Sequence, residues 1–140
     1  MCGAFAVLGA GGSAWAQLSL VGTFDGDSGS NRVGESLAVF GDIDGDAVAD
    51  YAAGAPGFDV NRGRVYVPSG VTGAVIRTVE GDEKFLSDYG ADVTGLGDVD
   101  GDDVPDFAVG TPNVNNSTGK VIVYSGATGA VLRTFDGEGM

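Results

Sequence analysis

The sequence contains no histidine, and it has a single cysteine, Cys2, among 140 residues. Without histidine there is no imidazole to serve as the base of a Ser-His-Asp triad or to bind zinc. With one cysteine there is neither an intrachain disulfide nor a cysteine-based metal site. We therefore expect any metal site in this chain to use oxygen ligands.

Basic residues are scarce. Seven lysines and arginines face 20 aspartates and glutamates, for a net charge of −13 at pH 7. A nucleic-acid partner requires a lysine- and arginine-rich surface, so this class is excluded, and cations are the expected partners. Apolar residues make up 43% of the chain, which is too many for a disordered acidic tail.

The chain repeats itself after 56 residues. Residues 34–81 align without a gap on residues 90–137, and 23 of the 48 aligned positions are identical. Each repeat reads as four short strands separated by glycine-rich turns, and no stretch of ten or more residues has helical periodicity. The predicted strands are 35–40, 50–55, 64–69 and 74–79, then 91–96, 106–111, 120–125 and 130–135. Four antiparallel strands in such a repeat are typical of a β-propeller blade, so the expected fold is all-β.

Blade limits follow from this repeat. Residues 27–81 and 82–137 each form one expected blade, and residues 138–140 begin a truncated next one. Residues 3–10 overlay on 119–126, which predicts that residues 1–26 end a preceding blade and brings the total to about two and a half blades. The alternative is a signal peptide over 1–16, with an A-x-A site at 14–16 but no positive charge before Arg32. Polar and glycine residues dilute this segment too much for a membrane span.

Two aspartate-rich loops lie between the first and second strands of the repeats. They share the pattern D-x-D-x-D-x-x-x-D, in which Gly45 and Gly101 permit a sharp turn. Positions 1, 3, 5 and 9 supply carboxylates, and the backbone carbonyl at position 7 adds an oxygen. Such an all-oxygen cage suits Ca²⁺ better than Mg²⁺, which prefers fewer protein ligands. The expected ligands of the two Ca²⁺ sites are Asp42, Asp44, Asp46, Val48, Asp50, Asp98, Asp100, Asp102, Val104 and Asp106.

The alternative is that these carboxylates only solvate a turn. Clustered carboxylates repel one another without a cation, so an empty loop would be open and mobile. Two copies of one spacing, both between strands, favour the metal site. An EF-hand is excluded because it needs glycine at position 6 and glutamate at position 12, where this chain has Ala47 or Asp103 and Ala53 or Val109.

The segments "VFGDIDGDAVADYAAGAP" and "GLGDVDGDDVPDFAVGTP" resemble FG-GAP repeats, the blades of the integrin α-subunit propeller and of many bacterial secreted proteins. The resemblance covers both repeats, although Gly-Ala-Pro at 54–56 becomes Gly-Thr-Pro at 110–112. It implies a seven-bladed propeller with Ca²⁺ in the loops between strands. It also implies an extracellular or cell-surface location, secreted or periplasmic in a bacterium, and a role in adhesion or binding.

The expected function is therefore a non-catalytic, calcium-binding propeller segment that binds a protein or glycan ligand through its loops. The alternatives are a non-catalytic part of a larger secreted enzyme, or a carboxylate-dependent hydrolase. A closed propeller needs many more residues than 140, so we expect further blades in a longer chain or assembly with copies. Aromatic residues are expected in core or inter-blade packing, and Arg77 and Arg133 on a solvated strand face or in a salt bridge to a neighbouring blade. These aromatic residues are Trp15, Tyr51, Tyr66, Phe107 and Tyr124.

Overall fold

Two four-stranded antiparallel sheets make up the described part of the chain, which covers residues 22–26, 28–81, 87–114 and 117–138 of this computed structural model. The strands pair in sequence order, so each sheet is a simple meander. The first sheet contains β1 (Ser36–Gly41), β2 (Asp50–Ala55), β3 (Arg64–Pro68) and β4 (Val75–Glu80). The second contains β5 (Asp92–Gly97), β6 (Asp106–Thr111), β7 (Lys120–Tyr124) and β8 (Val131–Asp136). The predicted all-β fold of propeller blades is confirmed.

The two sheets repeat the same backbone features. β1 and β5 each lose register with the next strand before their final glycine, Gly41 and Gly97, and the aspartate loop follows. The β3–β4 and β7–β8 turns both close with a hydrogen bond from a serine amide to an alanine carbonyl, of 2.8 Å at Ser69 and 2.9 Å at Ser125. Identical residues at these positions thus produce the same local structure twice.

The connection between β2 and β3 contains a single helical turn, α1 (Phe58–Asn61). Its last three residues, Asp59, Val60 and Asn61, have positive φ angles of 46°, 56° and 61°. Residues other than glycine rarely adopt this left-handed conformation, and the sequence gives no signal for it.

An aromatic stack joins the two sheets where β1 runs beside β5. Phe107, fully buried, is stacked between Phe40 of the first sheet and Tyr124 of its own sheet, with ring centroids 5.5 and 5.4 Å away. Tyr66 is also buried, as expected, whereas Tyr51 is only partly buried. Trp15 lies outside the described residues.

Arg77 links the two sheets, but not through the salt bridge to a neighbouring blade that was one of its two expected roles. Its Nη2 donates to the carbonyl oxygen of Ala127, in the β7–β8 turn, at 2.6 Å. The contact reaches the neighbouring blade, but its acceptor is a carbonyl and not a carboxylate. The repeat-related Arg133 lies exposed on β8.

Most of the predicted preceding blade, or signal peptide, falls in residues 1–21, outside the described residues. Residues 22–26 belong to neither sheet, and the Phe24 ring contacts the Tyr66 ring edge-on at 5.2 Å. Among the described residues, no helix has the length and apolar character needed to cross a membrane.

Candidate metal centres

The first aspartate of each loop organises the turn that follows it. The carboxylate of Asp42 accepts backbone hydrogen bonds from Gly45, Asp46 and Ala47, at 2.6, 3.1 and 2.8 Å. Asp98 accepts the corresponding three amides, from residues 101–103, at 2.7, 3.2 and 2.9 Å. A carboxylate that accepts the amides of the following residues stabilises a tight turn, so both loops fold around their first aspartate.

Two left-handed residues complete this turn. Gly45 and Gly101 have φ angles of 84° and 88°, as expected for glycine. Ala47 and Asp103, two positions later, also have positive φ, at 68° and 66°. The alternation of conformations curls the backbone so that successive amides point at one carboxylate.

The last aspartate of each pattern is fully buried at the start of the second strand. Asp50 accepts the amide of Ile43 on Oδ2 at 2.7 Å and the amide of Gly70 on Oδ1 at 2.8 Å. Asp106 accepts the amides of Val99 and Gly126 at 2.7 and 2.9 Å. Each of these carboxylates therefore fastens its loop to the turn between the third and fourth strands of the same sheet.

Three of the four predicted carboxylates converge in each loop. One oxygen from each of Asp42, Asp44 and Asp50 lies within 4.8 Å of the others. Asp98, Asp100 and Asp106 form the same group in the second loop. The structure thus assembles two matching oxygen clusters on the residues that the spacing selected.

The fourth carboxylate of each loop lies outside these groups of three. Oδ1 of Asp46 accepts the amide of Val48, and Oδ1 of Asp102 accepts that of Val104, both at 2.9 Å. The ligand roles predicted for Asp46, Asp102 and the carbonyls of Val48 and Val104 stay predictions.

The carboxylates within a cluster differ in their electrostatics. The backbone amide of Ala47, followed by those of Gly45 and Asp46, lowers the pKa of Asp42. The amides of Gly101 and Asp103 do the same for the pKa of Asp98. Loss of hydration inside the loop, with the charges of neighbouring aspartates, raises the pKa of Asp44 and of Asp100. A cation bound at the cluster would instead lower the pKa of Asp44 and of Asp100, because a nearby positive charge favours the ionised carboxylate.

Replacement of Asp50 by asparagine should destabilise the protein even without calcium. The new NH₂ group can satisfy neither amide, so one of the two N–H groups of Ile43 and Gly70 loses its acceptor. The two donors are partly buried beside a fully buried side chain, and an unsatisfied donor costs up to about 1–3 kcal/mol when it is buried, which urea unfolding in chelator should detect. The control is Asp46→Asn, whose acceptor role lies on the exposed side of the loop. Equal stability of the two variants would contradict this assignment.

Sequence reasoning missed the amides of Gly70 and Gly126, which donate to the buried aspartate of each cluster. A Cβ added at Gly70 would collide with the carbonyl of Ala49, and one at Gly126 with that of Pro105. The only sequence signal was the recurrence of Ser-Gly at 69–70 and 125–126 in both repeats. Their distance along the chain from the aspartates hid the connection.

The chain is similar in sequence to a known repeat family and to integrin α subunits. A family model described as "FG-GAP repeat" matches residues 89–124, which include the second loop. Mouse integrin alpha-X is 35% identical over 98 residues, or 64% of this chain and 8% of that protein. Integrin alpha-5 of Xenopus laevis is 32% identical over 108 residues, or 69% of the chain and 10% of that protein.

Rat integrin alpha-7 is 36% identical over 107 residues, which cover 71% of this chain and 9% of the relative. The chain thus spans about a tenth or less of the length of the integrin α relatives that it matches.

Proposed function

Because the chain carries an FG-GAP repeat of the integrin α-subunit type, we propose that it is a calcium-binding β-propeller segment with a binding or adhesion role. The observation that carries the proposal is the convergence of three carboxylates in each of two loops with the same internal hydrogen bonds. The propeller blades would extend over residues 27–81 and 82–137.

The donor set fits Ca²⁺. Each cluster offers carboxylate oxygens from three residues within 4.8 Å, and hard cations with flexible coordination take six to eight such oxygens. The carboxylate at position 5 and the carbonyl at position 7 would complete the shell in each loop. Two sites follow, one on Asp42, Asp44, Asp46, Val48 and Asp50, and one on Asp98, Asp100, Asp102, Val104 and Asp106.

Bound calcium would act on the stability of the loop. The ion would neutralise carboxylates that repel one another, and it would hold the loop against the buried aspartate that contacts the next turn. Because the unfolded chain has no such cage, binding favours the folded state. The aspartates would then support the blade, while a protein or glycan ligand binds elsewhere on the propeller loops.

Catalysis is not part of this proposal. A carboxylate acid catalyst needs an apolar pocket that keeps it protonated. The first aspartate of each loop has a lowered pKa through backbone amides, and the two aspartates with a raised pKa, Asp44 and Asp100, are exposed. The proposed location is the cell surface or the extracellular space, where millimolar-range calcium sites are common.

Calcium titration of the Asp100→Asn variant tests the proposal. Isothermal titration of the unaltered protein should give two equivalents of Ca²⁺. Asp100→Asn should weaken one of the two sites at least about tenfold, since affinity depends on the number of charged ligands. Asp103→Asn is the matched control, because it removes the same charge from the same loop, and Asp103 lies outside the cluster.

Two results would contradict the proposal. One is the absence of calcium binding at millimolar concentration. The other is an equal loss of affinity in Asp100→Asn and Asp103→Asn, which would show that the cation responds to diffuse acidic charge and not to a defined site.

A further inference from the structure

A groove lies open at the end of the second sheet that is opposite its aspartate loop. Gly110, Gly119, Val121, Phe135 and Gly137 line it. Val121 is 41% exposed and Phe135 is 57% exposed, which is high for apolar side chains on neighbouring strands. Within the described part of the chain, no segment covers these two residues.

The repeat-related surface of the first sheet is covered. Val65 and Val79 occupy the positions of Val121 and Phe135 but are only 0% and 9% exposed. Residues 87–90, which we name the second lead-in turn, lie over them, and Gly63 pairs with Tyr89 in a parallel bridge. Ser36 Oγ also donates to the carbonyl of Gly90 at 2.8 Å. The lead-in turn of one blade thus covers the blade before it.

A comparison of Gly54 with the repeat-related Gly110 also indicates that the groove of the second sheet has room for a turn. Gly54 of the first sheet must be glycine, because an added Cβ would collide with the carbonyl of Gly90 in the second lead-in turn. The repeat-related Gly110 has no such neighbour, since the nearest atom to an added Cβ is Cβ of Asp92 at 3.5 Å. The second sheet therefore keeps space for a backbone that the described residues do not supply.

The first repeat begins with an equivalent turn. Residues 31–34, the first lead-in turn, align with 87–90 in the repeat. Both turns are anchored alike to their own sheets: Gly34 donates to the Gly54 carbonyl at 2.9 Å, and Gly90 to the Gly110 carbonyl at 3.0 Å. The first lead-in turn therefore has the backbone shape that such a groove accepts.

Within one chain, the first lead-in turn already contacts a tetrapeptide that is identical in sequence to one side of the groove. Residues 23–26 and residues 134–137 are both Thr-Phe-Asp-Gly. At the first of these segments, a Cβ added to Gly26 would lie 2.5 Å from Cγ2 of Val33 in the first lead-in turn. The second segment, at the end of β8, is identical in sequence but has no turn on it in the described chain.

We propose that the groove binds the first lead-in turn of a second copy of this chain. Residues 134–137 of one copy would take the place of residues 23–26 of the other, which is a heterologous, head-to-tail contact between copies. The charges agree with this arrangement. Arg32 binds Asp88 within one chain at 2.7 Å, and the same geometry between copies would bring Arg32 of the second copy to Asp88 of the first.

One contact would not be reproduced between copies. Asp92 stands where Ser36 donates to a carbonyl in the first sheet, and a carboxylate cannot donate. The intrachain segment 23–26 also competes for the turn at a high effective concentration. Association of the unaltered chain is therefore weak, and it strengthens when the intrachain contact is removed.

Sedimentation velocity of the full chain in calcium, over a range of concentrations, tests this exchange. Gly26→Val should clash with Val33, release the first lead-in turn and tighten self-association at least about tenfold relative to the unaltered chain. Gly29→Val is the matched control, because a Cβ there meets nothing within 4 Å. Adding Gly110→Val to Gly26→Val should return the protein to the monomer mass of 14.0 kDa.

The proposal is supported if Gly26→Val associates and the Gly26→Val/Gly110→Val double variant does not. It is overturned if Gly26→Val stays monomeric. It is also overturned if the double variant associates as tightly as Gly26→Val, or if Gly29→Val associates equally well. None of these variants alters a loop aspartate, so the self-association proposal and the calcium proposal can fail independently of each other.

Discussion

Addition of calcium to the chelator-treated protein should raise its melting temperature by at least about 10 °C. At a free calcium concentration a hundredfold above Kd, each site stabilises the folded state by about 2.7 kcal/mol. Each kcal/mol shifts the melting temperature by about 2–4 °C for domains of about 150–250 residues, the range nearest to this chain of 140 residues, so the two sites together account for the expected rise. Thermal unfolding followed by circular dichroism, with and without Ca²⁺, measures the effect.

Two controls separate a bound ion from general screening of a charge of −13. Mg²⁺ at equal concentration should give a much smaller shift, since it dehydrates reluctantly and keeps its waters. Asp100→Asn should retain between about half and about three quarters of the calcium-dependent shift, because the unaltered site keeps its full contribution and a site weakened at least tenfold keeps at most about half of its own. A melting temperature that is the same in Ca²⁺ and in chelator would refute the calcium sites.

Replacement of Phe107 by alanine should destabilise the protein by about 3–5 kcal/mol, the range for deletion of a buried aromatic side chain. The ring is fully buried and touches Phe40 of the other sheet as well as Tyr124. The variant would therefore lose packing within a sheet and between sheets at once. The shift of the urea midpoint in calcium-containing buffer measures this loss.

Phe135→Ala is the matched control for this prediction. It deletes the same side chain from a strand of the same sheet, but Phe135 is 57% exposed. Dilute protein should lose no more than about 0.5 kcal/mol from this change, as is usual for surface substitutions. Similar destabilisation of the two variants would show that the aromatic stack does not join the sheets.

The strands could be predicted from the sequence because each strand pattern occurs at equivalent positions in both repeats. β2 (Asp50–Ala55) and β6 (Asp106–Thr111) have the bounds that were predicted from the repeat. The contacts between sheets had no such signal. The hydrogen bond from Arg77 to Ala127 joins residues 50 positions apart, and no local pattern specifies it.

The candidate sites show the same division between local and distant information. Spacing alone selected Asp42, Asp44 and Asp50, which the structure brings together. Spacing did not reveal that Asp50 also accepts the amide of Gly70, because that contact depends on closure of the whole sheet. The left-handed conformation of Ala47 was equally hidden, since its side chain gives no preference for positive φ.

The position of the second lead-in turn has a consequence for how such repeats can be exchanged. Residues 34–81 contain all four strands of the first sheet, yet Val65 owes its burial to residues 87–90 of the following repeat. The four strands of one repeat therefore do not bury their own apolar surface completely. Recombination that moved one repeat into another protein would preserve a buried core only if the recipient supplied a compatible turn after it.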